Sequence, residues 1–80
     1  SVRGKTSPMR TVAIGEVGLT GDLRSVASAE KIASEAIRLG YEKIIMPVKN
    51  AKASKGISQI DINKIVGVKN LYEAVRAFSE

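Results

Sequence analysis

Apolar and polar positions change period several times along the 80 residues. Between Thr11 and Val26 the apolar residues Val12, Ile14, Val17, Leu19, Leu23 and Val26 interleave with Gly15, Gly18 and Gly21, which recur at a spacing of three. Short apolar stretches broken by glycine read as two strands, Thr11 to Val17 and Leu19 to Val26, folding back through a tight turn. Each glycine marks a point where a side chain would restrict the backbone or block a close approach. Gly21-Asp22 is the expected corner, since glycine supplies the positive φ of a type II′ turn.

The period then changes to three and four. Ala29, Ile32, Ala33, Ala36 and Ile37 fall on one face of a helix predicted over Ser28 to Leu39. Ser28 is its expected cap, Glu30 suits the first turn, and Gly40 can take the left-handed position that ends it. The alanine-rich face predicts close packing on a sheet. Lys43-Ile44-Ile45-Met46-Pro47 is a continuous apolar run closed by proline, the signature of a buried strand. A turn of helix is predicted over Asn50 to Lys55, capped by Asn50 and ended by Gly56.

Ile57, Ile60 and Ile62 are expected to line the underside of a connection into a second buried strand, Ile65-Val66-Gly67-Val68. Asn70 and Glu73 form a capping box for a last helix with Leu71, Ala74, Val75 and Phe78 on its apolar face. The resulting order, a β-hairpin then helix-strand-helix-strand-helix, predicts an α/β unit whose later strands run parallel.

Eighty residues make one domain with a small core, of marginal stability unless other protein covers it. Hydrophobic residues at 44% argue for a folded chain. Thirteen Lys and Arg against eight Asp and Glu give a net charge of +5, which suits a polyanion or an acidic surface without identifying one. The chain has no cysteine and no histidine, so disulfides, thiolate zinc sites, a cysteine nucleophile and the usual general base are excluded from it. No run has the length of a membrane span, and the first residues lack the apolar core of a signal peptide, so a cytoplasmic protein without membrane contact is expected. Residues 1–10, with Arg3, Lys5 and Arg10 around Gly4 and Pro8, read as a flexible, solvated N-terminal segment, and residues 11–80 as the folded domain.

Chemistry is sparse. The hairpin glycines match neither G-x-G-x-x-G nor a P-loop, so they are structural, with Glu16 between them. Ser28-Ala-Glu-Lys31 has the S-x-x-K spacing of serine-lysine acyl enzymes, but eight serines and eight lysines in 80 residues produce such a match by chance. Lys49, Lys52 and Lys55, spaced by three after Pro47, are the local candidates for a phosphate-facing patch. No aromatic residue lies among them, so base stacking is not expected.

The run G-E-V-G-L-T-G-D-L-R from Gly15 to Arg24, the helical segment, and L-G-Y-E-K-I-I-M-P ending at Pro47 together carry a resemblance. From Val12 onward the chain resembles the C-terminal Lon-protease-like region of the bacterial RadA (Sms) DNA-repair proteins. The resemblance implies the second half of a Lon-protease-like domain that serves as a scaffold and DNA contact. It implies a parent protein with a DNA-dependent ATPase elsewhere, using ATP and Mg, with zinc in its N-terminal region. It also implies assembly into a hexameric ring, action on branched DNA in recombination, and a RecA-type recombinase as a further partner.

Lon-type peptidases are the nearest rival. Their catalytic lysine position falls on Ile32, with Lys31 one residue away and turned by about 100° of helix. Their serine would lie upstream of Ser1. No catalytic residue, metal ligand or cofactor site is therefore expected in this chain. The RadA pattern Arg-Pro-Val is here Arg24-Ser25-Val26, and Ser28 and Ile32 stand where that family places helix arginines. Arg24 is retained and joins Lys49, Lys52 and Lys55 as the expected nucleic-acid contacts. A Lon-type peptidase fragment and a free-standing α/β interaction module are the alternatives.

Overall fold

The computed structural model describes residues 10–79. The expected N-terminal segment lies outside them, apart from Arg10. That residue's guanidinium sits over the Tyr41 ring, 4.5 Å from its centroid, and donates to the Leu39 carbonyl at 3.1 Å. Its own carbonyl accepts from the amides of Glu42 and Lys43.

Thr11–Ala13 (β1), Lys43–Pro47 (β4) and Ile65–Val68 (β5) form a parallel sheet in the order β1-β4-β5. Glu16–Val17 (β2) and Leu23–Arg24 (β3) form a separate antiparallel hairpin. Between these elements run Ala29–Arg38 (α1), Val48–Ser54 (α2), a 3₁₀ turn at Ile62–Lys64, and Leu71–Ser79 (α3). The α/β class and the parallel later strands are those that the pattern predicts.

The central strand β4 explains the layering, because successive side chains of a strand point to opposite faces. Ile44 and Met46, fully buried, join Ala33, Ala36 and Ile60 on the face covered by α1 and α2. Ile45 joins Val68 and Ala77 on the face covered by α3. A strand covered on both faces needs a continuous apolar run, which is what residues 44–47 supply. The alanines Ala29, Ala33 and Ala36 are the buried positions of α1, so the helix lies close to the sheet.

The predicted first strand is divided. Thr11–Ala13 pairs with β4 in the main sheet, Ile14 N donates to the Ile45 carbonyl at 2.7 Å, and only Glu16–Val17 turns back to pair with β3. The hairpin corner is also displaced. Gly21 N donates to the Gly18 carbonyl and Gly18 N to the Asp22 carbonyl, so Leu19 and Thr20 are the central turn residues. Gly21, at φ +87°, takes the left-handed position that follows them, the three-residue loop with a glycine bulge rather than a type II′ corner.

Two caps differ from expectation. Ser28 precedes α1 without a side-chain cap bond. Asn50 does not start α2, which begins at Val48 behind Pro47, whose extended backbone and missing N–H suit that position. Gly40 does end α1, at φ +99°, with Gly40 N bonded to the Ile37 carbonyl and Tyr41 N to the Ala36 carbonyl, a Schellman motif. The capping box of α3 forms: Glu73 N donates to Asn70 Oδ1, and Glu73 Oε1 accepts from Lys69 N rather than from Asn70 N.

Candidate nucleic-acid interface

The hairpin is shaped by a carboxylate at its tip. Asp22 accepts from the Thr20 hydroxyl at 2.7 Å and from Arg24 Nε at 3.4 Å. The Thr20 hydroxyl first, then the backbone amide of Asp22 and Arg24, hold the carboxyl below the usual carboxylate range. A Cβ at Gly18 would lie 2.5 Å from Asp22 Oδ1 and 3.0 Å from Arg24 Nε, so the exposed ends of those two side chains would have to shift to admit it. At Gly15 a Cβ would meet Leu23 and Pro47 only at ordinary contact distances of 3.4 Å and more. Glu16 is exposed on β2, opposite Arg24 in register.

Between the hairpin and the sheet lies an open cleft of about 400 Å³. Leu23, Pro47, Val48 and Val68 form its apolar floor, and Arg24, Lys49 and Lys69 are among its lining residues. It sits where β4 and β5 end, the side of a parallel α/β sheet at which ligands characteristically bind. The cations arrive from three elements: Arg24 from β3, Lys49 from the first turn of α2, and Lys69 from the exit of β5. Arg24 remains well exposed despite its contact with Asp22.

Of the four cations that the sequence singles out, Arg24 and Lys49 meet in this cleft. Lys52 and Lys55 are exposed on and just after α2 and do not line it. Lys69 was not among the sequence candidates. Its signal is the tripeptide Val-Lys-Asn, which occurs at Val48-Lys49-Asn50 after β4 and at Val68-Lys69-Asn70 after β5. In both copies the valine and the lysine line the cleft.

The asparagines fasten the hairpin. Asn50, 6% exposed, donates from Nδ2 to the Val26 carbonyl at 3.0 Å and accepts at Oδ1 from Val26 N at 2.8 Å. The backbone of Asn70 bridges to that of Asp22. Both ends of the hairpin's return strand are thereby tied to the ends of the main strands.

Ser28, Lys31 and Ile32 are all exposed on or beside α1, and Ser28 makes no side-chain cap bond there. Among the described residues no group of three or more His, Cys, Asp or Glu is arranged to hold a metal ion, and no helix is long and apolar enough to cross a membrane.

A family model described as "Subunit ChlI of Mg-chelatase" matches residues 2–50. The chain is 40% identical over 73 residues to the DNA repair protein RadA of Mycolicibacterium smegmatis, covering 91% of this chain and 14% of that protein. It is 37% identical over 82 residues to RadA of Escherichia coli, covering all of this chain and 16% of the relative. With RadA of Bacillus subtilis it shares 41% identity over 66 residues, 79% of this chain and 13% of the relative. The chain thus spans about one seventh of the length of the curated relatives it matches. No solved structure matches it. The 80 residues belong to the family of that ChlI model, in the form carried by the C-terminal region of RadA-type DNA repair proteins.

Proposed function

We propose that this chain is a peptidase-inactive, Lon-like scaffold that contacts DNA for a RadA-type ATP-dependent repair and recombination protein. One observation carries the reading: Arg24, Lys49 and Lys69 come from three separate elements to one cleft at the ends of two parallel strands. Such a cluster neutralises backbone phosphates without reading bases, and none of the lining residues is aromatic. Lys52 and Lys55 extend the same charge along α2. The apolar side chain of Ile32 at the Lon lysine position cannot activate a serine, which supports a non-catalytic role. In this reading ATP hydrolysis with Mg, any zinc, the contact with a RecA-type recombinase and the drive of branch migration belong to other parts of a cytoplasmic parent protein. This chain would contribute phosphate grip and subunit contacts within a hexameric ring.

The test is the salt dependence of duplex binding by the chain and by its Arg24→Ala/Lys49→Ala/Lys69→Ala variant. Removing one cation that neutralises a phosphate should reduce the slope of log K against log salt by about 0.9, and the triple variant should reduce it by up to three such steps. A slope unchanged in a variant that keeps its helical circular dichroism would remove the cleft from the DNA interface.

A further inference from the structure

Of the three cations that line the cleft, Arg24 alone brings its own anion. Asp22 Oδ2 lies 3.4 Å from its Nε, whereas among the described residues neither Lys49 nor Lys69 has a carboxylate partner. The Asp22 carboxylate is held in place, since its Oδ1 accepts from the Thr20 hydroxyl at 2.7 Å and Oδ2 is left for the guanidinium. Asp22 and Arg24 stand two residues apart on the return limb of the hairpin, so their side chains leave it on one side. Glu16 lies opposite Arg24 in register and forms no ion pair with it.

A guanidinium binds a phosphate as a planar fork, either through Nε and one terminal nitrogen or through both terminal nitrogens. Asp22 sits on the first of these edges. A phosphate entering the cleft therefore meets an Arg24 with one edge taken, and that edge is open to it only once the carboxylate has gone. The contact is suited to displacement: 3.4 Å is long for a hydrogen bond, and the two side chains are 62% and 50% exposed. An exposed pair of this kind shifts an equilibrium by at most about fivefold, and a phosphate offers charge-assisted pairing in its place.

We propose that Asp22 is an internal competitor for Arg24, a carboxylate that occupies the guanidinium until a phosphate displaces it and so limits the grip of the cleft. The inference rests on the DNA reading above and adds to it the residue that holds affinity down.

The experiment is a double-mutant cycle on duplex binding by the chain: the parent, Asp22→Asn, Arg24→Ala and the two together, with Glu16→Gln as the comparison of equal charge. Asparagine keeps an oxygen for the Thr20 hydroxyl and removes the charge. Asp22→Asn is expected to bind about two- to fivefold tighter at low salt, a larger gain than that of Glu16→Gln, and the gain is expected to shrink as salt is added. Asp22→Glu, which keeps the charge, is expected to bind like the parent. Without Arg24 the extra gain of Asp22→Asn over Glu16→Gln should vanish.

Three results overturn the proposal. A gain from Asp22→Asn that survives in full beside Arg24→Ala, or one no larger than that of Glu16→Gln, would make Asp22 a source of general repulsion. Weaker binding by an Asp22→Asn chain that keeps its circular dichroism would make the carboxylate a positioning residue for Arg24. All three leave the DNA reading standing. That reading fails, and the proposal with it, if the Arg24→Ala/Lys49→Ala/Lys69→Ala variant keeps the parent's salt slope.

Discussion

At the scale of single residues, Asp22 sets the conformation of the hairpin tip. Its folded-state pKa is depressed, so the hydrogen bonds that favour the carboxylate contribute above the ordinary carboxylate range and disappear as acid protonates it. The group is open to solvent, so the effect is local rather than a large share of stability. Thr20→Val removes the first cause and is expected to raise the Asp22 titration midpoint toward its ordinary value, followed by carboxyl NMR; an unmoved midpoint would show that the hydroxyl is not the cause. Arg24 depends on the same carboxylate for its orientation, which links the tip of the hairpin to the rim of the cleft. The need for glycine at position 21 was legible from the spacing. The same spacing marked position 18 as a close approach, and what approaches it, the ends of the Asp22 and Arg24 side chains, is set by the fold.

At the scale of elements, the asparagine that looks like a helix cap acts as a latch. Asparagine just after a strand and before an alanine-rich stretch is a reasonable cap by local rules. Its partner, Val26, is 24 residues away in sequence, and no local pattern reports that distance. Asn50→Ala leaves both backbone groups of Val26 without the amide, and a destabilisation of about 1–3 kcal/mol is expected in urea denaturation. Asn50→Asp should fall between, since a carboxylate accepts from Val26 N but cannot donate to its carbonyl. The same limit explains the divided first strand. Thr11 to Val17 reads as one apolar stretch, yet its halves pair with strands that are distant and near in sequence, Lys43–Pro47 and Leu23–Arg24.

At the scale of the whole molecule, the legible parts are those where one segment's pattern fully determines its environment. β4 and β5 match their predicted limits because a short apolar run bounded by turn signals fits only a buried strand. The cleft was half legible: Arg24 and Lys49 stood out by motif and spacing, whereas Lys69 joins them only through the parallel register that sets Pro47 beside Val68. So small a core leaves little reserve. At roughly 0.05–0.15 kcal/mol per residue the chain has about 4–12 kcal/mol of stability. Met46→Ala, which empties a fully buried position in the central strand, should remove about 2–5 kcal/mol. Thermal unfolding is expected to show a severely weakened transition for that variant and a normal one for Lys52→Ala.

The double asparagine fastening separates two properties that ionic clefts often confound. What holds the hairpin at its distance from the sheet is neutral: amide and backbone hydrogen bonds from Asn50 and Asn70. What lines the cleft beside them is charged: Arg24, Lys49 and Lys69. Dissolved salt weakens the second and has little hold on the first. If the cleft takes DNA as proposed, its aperture is expected to hold as ionic strength rises while its grip relaxes. A molecule that must hold a long polyanion and still let it move along would gain from that division of labour: a jaw of fixed gauge, with a tension that the surrounding ions set.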